Sequence, residues 1–201
     1  MRKNKKIFRI TIYLKPVLFV LLAAVLSFFH CRRSSSLTNY DFGGDFSLTD
    51  QYGKAFNLKD LRGKTVLLFF GYTLCPDICP TTLSKIRKSY EILGSKSENI
   101  RIVFISVDPE RDTKDKIEKY LSYFNMNVIG LTGSMKEIQS VTESYHAIFE
   151  KAKVNDSAAG YLVNHSAFTY LIDKNGKIRY LFRQSENPEL MAAIIKILLE
   201  E

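Results

Sequence analysis

Two cysteines stand four residues apart in Gly71-Tyr72-Thr73-Leu74-Cys75-Pro76-Asp77-Ile78-Cys79-Pro80, and no other pair in the chain is so well placed to do chemistry. Pro80 is tolerated in the first turn of a helix, which puts Cys79 at or near the N-cap and Cys75 in the loop just before it. Free N–H groups and the positive end of the helix dipole favour a thiolate there, so at least one sulfur is expected to have a lowered pKa. Two sulfurs so placed can converge on one metal ion or join as a disulfide. A plain structural disulfide is the blander alternative. Against it, the closed loop is a small staple, and a strand-to-helix turn in an α/β sheet is a usual place for ligands. Two intervening residues would have pointed to disulfide exchange; the three present here weaken that reading without removing it.

A thiolate pair needs a third ligand to hold a metal firmly, and the chain has three histidines. His30 flanks an apolar N-terminal segment. His146 falls in a predicted helix, where a surface or half-buried histidine is ordinary. His165, in Tyr161-Leu162-Val163-Asn164-His165-Ser166, precedes a predicted strand and can reach the same end of the sheet as Cys75 and Cys79. Alone it would be a loop histidine; beside two thiolates it is the best candidate ligand. Soft sulfur with one imidazole and few ligands suits copper, with zinc the main competitor.

These residues must be positioned by the elements around them. The run Thr65-Val66-Leu67-Leu68-Phe69-Phe70, bounded by Gly63-Lys64 and Gly71, reads as a strand buried on both faces. Leu83, Ile86, Tyr90 and Leu93 have helical spacing, and Gly94 ends that helix. A second buried strand is expected over 100–107, a helix over 113–124, a short strand over 128–131 and a helix over 135–152. The stretches 167–172 and 178–182 are β-rich around Asp173-Lys174-Asn175-Gly176-Lys177, a hairpin signal, and Pro188 opens a last helix over 189–199. Upstream, 46–56 is broken by Asp50-Gln51-Tyr52-Gly53 and reads as an N-terminal hairpin. Alternating strands and helices followed by a hairpin and a helix imply an α/β domain, with a mixed central sheet and helices on both faces.

The 201 residues suffice for one such domain over 34–201 and a short appendage over 1–33. The net charge of +8 resides in that appendage: residues 1–33 carry eight basic side chains and no acidic one, leaving 21 of each sign in the remainder. A balanced body has no net field to attract phosphates, which excludes nucleic acid as the expected partner. The basic start precedes fourteen uncharged residues, 16–29, which as a helix reach ~21 Å, short of a ~30 Å hydrocarbon core. That length fits a signal-peptide hydrophobic region, and flanking Ile10-Thr11-Ile12-Tyr13-Leu14 could extend it into an uncleaved membrane anchor. Cys31 could instead be the lipidated first residue of a lipoprotein, although His30 is a poor residue before such a site. Each alternative, free secretion included, exports the domain to the extracytoplasmic (periplasmic) side.

Three stretches together, 71–80, Ile105-Ser106-Val107-Asp108-Pro109-Glu110-Arg111-Asp112-Thr113, and His165-Ser166 followed by Tyr170-Leu171-Ile172-Asp173, resemble the Sco/SenC family over nearly all of 40–200. The resemblance implies a thioredoxin-like fold and one copper ion per chain, bound by Cys75, Cys79 and His165. It also implies a role at the dinuclear copper site of cytochrome c oxidase, either handing over copper or reducing the acceptor's cysteines with Cys75 and Cys79 as a redox-active pair. Leu74 stands where the family often has histidine and Asn164 where it often has aspartate. Neither change removes a ligand, and both bear on the surroundings of the ion.

Other features read plainly. The 108–112 acids could suggest acid–base chemistry, but are expected to shape a loop and cap the helix from Thr113. Gly63-Lys64-Thr65 is no phosphate loop, since Leu58 occupies the first glycine position and a strand follows. Met126 is expected to fill core. The leading expectation is a copper chaperone without catalysis of its own; an extracytoplasmic thiol–disulfide oxidoreductase is the alternative, ahead of a thiol peroxidase or a redox sensor.

Overall fold

The computed structural model describes residues 37–153 and 160–201. The long apolar run forms β3 (Thr65–Gly71), buried along its whole length. Its side chains alternate between two cores: Val66, Leu68 and Phe70 face one, Leu67 and Phe69 the other. A strand buried on both faces needs cover on both. One face is covered by α1 (Ile78–Leu93), α2 (Lys114–Ser122) and α4 (Pro188–Leu199), which contribute Ile86, Ile117 and Ile195. The other takes Ile138 and Val141 from α3 (Met135–Ser144).

The sheet runs β2 (Ala55–Asn57), β1 (Ser47–Asp50), β5 (Val128–Thr132), β4 (Ile100–Ser106), β3, β8 (Thr169–Ile172), β9 (Ile178–Phe182). Strand β3 is parallel to β4 and antiparallel to β8, so the sheet is mixed, as expected, and the first hairpin extends its far edge. The architecture is thioredoxin-like α/β. The register decides what lies near the cysteines. Phe69 pairs with Thr169, so the chain leaving β3 toward Cys75 and the chain entering β8 from His165 share one end of the sheet.

The expected helix over 135–152 ends early, at Ser144. Tyr145 closes it, His146 takes the left-handed conformation (φ 51°), and two bonds complete a Schellman cap: His146 N–H to Glu143 O (3.1 Å) and Ala147 N–H to Thr142 O (2.8 Å). The buried Tyr170 hydroxyl donates to the Tyr145 carbonyl (3.1 Å), occupying an acceptor that a continuing helix would use. The residues beyond form β6 (Phe149–Lys153), antiparallel to β7 (Tyr161–His165), a second sheet that the sequence pattern did not anticipate. His146 is thus a turn residue, stacked on Phe42 with ring centroids 4.5 Å apart. Met126 is partly buried against the core, as expected.

Candidate metal centre

Helix α1 begins at Ile78 with Asp77 as N-cap, so Cys79 lies inside the first turn, at the second helical position. The Asp77 side chain makes no cap bond to the backbone. Instead the Cys79 N–H donates to Cys75 Sγ (3.4 Å), so a sulfur does the work usually left to a cap oxygen. A donor aimed at Cys75 favours its charged form. Glycine at position 71 is a requirement of space: a Cβ there would lie 2.6 Å from Cys79 Sγ and 2.8 Å from Phe104 Cε2. The end of β3 is cut away to seat the second sulfur.

His165 ends β7, and its Nδ1–H donates to the Ser166 carbonyl (3.0 Å). That bond leaves the Nε2 lone pair free, and Nε2 stands 3.6 Å from Cys79 Sγ. The Tyr72 ring, itself buried, packs edge-on against the imidazole at 5.9 Å. The three ligand atoms, two sulfurs and one imidazole nitrogen, all lie within 4.8 Å of one another. Metal bonds of ~2.0–2.3 Å separate two ligand atoms by at most ~4.5 Å, so the set need close only slightly around an ion. Two thiolates and an imidazole, with no oxygen donor among them, fit a soft, low-coordinate metal.

Both cysteines are free thiols in the structure. Their protons are unequally held. The Cys79 thiol, hydrogen-bonded to Cys75, holds the Cys75 thiol well below the ordinary thiol range, with help from backbone N–H groups against the cost of burial. The same bond and burial push Cys79 up. Cys79 is 1% exposed and Cys75 8%, so both are buried and Cys75 is the less buried of the two. Cys75 and His165 also line a cleft of about 300 Å³, between the cysteine loop and β7.

The 108–112 loop does something the sequence did not announce. Thr113 alone caps α2, through its side chain and Lys116 N–H (3.4 Å). Asp112, 1% exposed, faces the cysteine loop instead and accepts bonds from Thr73 N–H (2.9 Å), Thr73 Oγ1 (2.6 Å) and Ser106 Oγ (2.6 Å). The only hint in the sequence was a dense run of charge directly after a buried strand. Leu74 and Asn164, the two departures, are both exposed.

The SCO1/SenC family model matches residues 34–200. The chain belongs to the SCO1/SenC family. A SCO2-like protein of Rickettsia felis is 42% identical over 154 residues, 76% of this chain and 75% of that one. The ScoI structure from Bradyrhizobium japonicum, with copper bound, is 42% identical with a TM-score of 0.70, covering 78% of this chain and 99% of its own. BsSco, a member of the Sco family of cytochrome c oxidase assembly proteins in which a disulfide switch was identified, is 26% identical with a TM-score of 0.62, covering 82% of this chain and 96% of its own. The likeness therefore extends over the SCO1/SenC domain as a whole, cysteine loop and histidine hairpin included.

Proposed function

We propose that this SCO1/SenC chain is a copper chaperone, in which Cys75, Cys79 and His165 hold one copper ion that is passed to the dinuclear copper site of cytochrome c oxidase. One observation carries the reading. His165 lies 86 residues from Cys79 in sequence, yet its Nε2 stands 3.6 Å from the Cys79 sulfur, with Cys75 completing the group. The copper-bound relative and the oxidase-assembly relative support the choice of cargo and acceptor. Copper is cargo here, and a carrier must release it: three ligands from the chain, two of them lining a cleft, leave room for an acceptor's donors to replace them in turn. The N-terminal segment 1–33 tethers the domain to the membrane on the extracytoplasmic side, on the strength of its eight basic residues and its apolar run. That segment lies outside the described residues; among those, no helix is long and apolar enough to cross a membrane.

The test is copper(I) titration of the reduced full chain under a competing chelator. One ion per chain is expected, and His165→Ala should weaken binding by at least about tenfold. Unchanged affinity in that variant would remove His165 from the site. A second reading is favoured by the unequal thiols: a sulfur of depressed pKa, the less buried of the two, beside a deeply buried protonated one is the arrangement of an attacking and a resolving cysteine. It makes the chain a reductant of the acceptor's cysteines. Copper-free protein that reduces a model disulfide stoichiometrically, equally well as His165→Ala, would favour this reading over copper transfer.

A further inference from the structure

The 108–112 loop bonds to both segments that carry the candidate metal centre, one arm to the cysteine loop at Thr73 and the other to β7 at Tyr161. Toward the cysteines, Asp112 takes the three bonds from Thr73 and Ser106, and Thr73 is two residues before Cys75. Toward the histidine, Asp108 accepts from the Tyr161 hydroxyl (2.7 Å). Arg111 Nη1 donates to the Tyr161 carbonyl (2.9 Å), and its guanidinium lies 3.5 Å from the centre of the Tyr161 ring. Tyr161 opens β7, the strand that His165 ends. The two arms are joined inside the loop: Arg111 Nε pairs with Asp108, Asp112 N–H donates to Asp108 O (2.9 Å), and Ser106 Oγ, while donating to Asp112, accepts from Asp108 N–H (3.1 Å). Asp108, Asp112 and Ser106 are essentially fully buried. Buried polar groups that satisfy one another hold a fixed geometry more firmly than exposed pairs do. Since Thr113 caps α2 unaided, these bonds are not needed to start that helix.

We infer that the 108–112 loop is a bracket that sets the distance between the thiolate pair and the imidazole, with Asp112 and Asp108–Arg111 acting as positioning residues for metal capture. The inference rests on the copper site proposed above. The bracket fixes Thr73 on one side and Tyr161 on the other, so Cys75, Cys79 and His165 are gathered before an ion arrives and little ordering remains for binding to offset.

The experiment compares wild type with three variants of the full chain. Asp112→Asn removes acceptors from the cysteine arm at constant size; Tyr161→Phe removes only the hydroxyl of the histidine arm; Thr113→Ala removes the α2 cap and touches neither arm. Each is measured for copper(I) affinity by chelator competition, for the number of nitrogen and sulfur ligands by X-ray absorption, and, without metal, for alkylation of Cys79 under native conditions. Asp112→Asn is expected to weaken copper by about 10–100-fold, the usual effect of losing a partner behind the ligands, and to make buried Cys79 alkylate several-fold faster. Tyr161→Phe should lower affinity less, weaken the nitrogen signal while both sulfurs stay, and leave Cys79 protected. Thr113→Ala should lower thermal stability and change neither affinity nor alkylation. Wild-type affinity and alkylation in folded Asp112→Asn and Tyr161→Phe would overturn the bracket while leaving the copper site standing. An equal loss in Thr113→Ala would overturn it too, by showing that general destabilisation is the cause. Failure of wild type to bind copper at all would overturn the copper reading, and the bracket with it.

Discussion

At the scale of single residues, the two sulfurs differ in the proton each holds, and that difference has a measurable consequence. Cys75 is depressed by the Cys79 thiol hydrogen bond, so it is already a thiolate at neutral pH; Cys79 is raised, so it must give up a proton to become a ligand. Copper(I) binding to the reduced chain is therefore expected to release about one proton per ion, where two ordinary thiols would release about two. The sign follows: because the bound state carries fewer protons, affinity should rise with pH, by about tenfold per unit, until Cys79 itself ionises above the ordinary thiol range. Titration calorimetry in two buffers of different ionisation enthalpy reads the proton count directly. Release of two protons would mean that Cys75 is not a thiolate before the metal arrives.

At the scale of elements, the site depends on how closely α1 can approach the end of β3, and Gly71 is the point of contact. A methyl group there would overlap both Cys79 Sγ and the Phe104 ring. Gly71→Ala is expected to destabilise the fold by about 1–3 kcal/mol, the usual cost of overpacking a core, and to lower copper affinity because Cys79 is displaced. Thermal unfolding and the chelator competition measure the two effects separately. The sequence made this end of the molecule legible. An unbroken apolar run is a buried strand by composition alone, and the proline and cysteine spacing marked the helix start to within a residue or two. Two other elements were hidden for physical reasons. α3 stops at a Schellman cap whose left-handed residue is His146, not the glycine that would have signalled it. Among the described residues the β6–β7 pair is a sheet of its own, and with Glu150, Lys151 and Asn164 among its residues it offers no long apolar alternation. Asp112 was hidden differently: a carboxylate just before a helix reads as a cap, whereas this one faces Thr73 and Ser106.

Across the whole domain, stability and metal chemistry are separated along the sheet. The cysteine loop follows the C-terminal end of β3, whereas the opposite end carries a network centred on Arg179. Its guanidinium pairs with Glu201 (2.6 Å) and Asp173 (3.5 Å) and donates to the carbonyls of Leu37 (3.2 Å) and Thr38 (3.3 Å). One side chain thus ties the first described residues, the turn after β8 and the last residue of the chain together. Arg179 is mostly buried, and truncating it would leave Asp173, 11% exposed, without its counter-charge, with only the N–H groups of Asn175 and Lys177 on its carboxylate. Breaking a fully buried pair costs about 3–5 kcal/mol; with Glu201 30% exposed, Arg179→Ala is expected to cost about 2–3 kcal/mol by the same reasoning. Because the network lies at the far end of β3 from Cys75, that loss should leave copper stoichiometry, ligand number and affinity unchanged wherever the variant is folded. Denaturant unfolding of the reduced chain, run beside the copper competition below the unfolding transition, checks both halves. A variant that loses copper affinity while still fully folded would show that the two ends of the sheet are coupled, and that the metal site draws its geometry from the whole domain as well as from the segments packed around it.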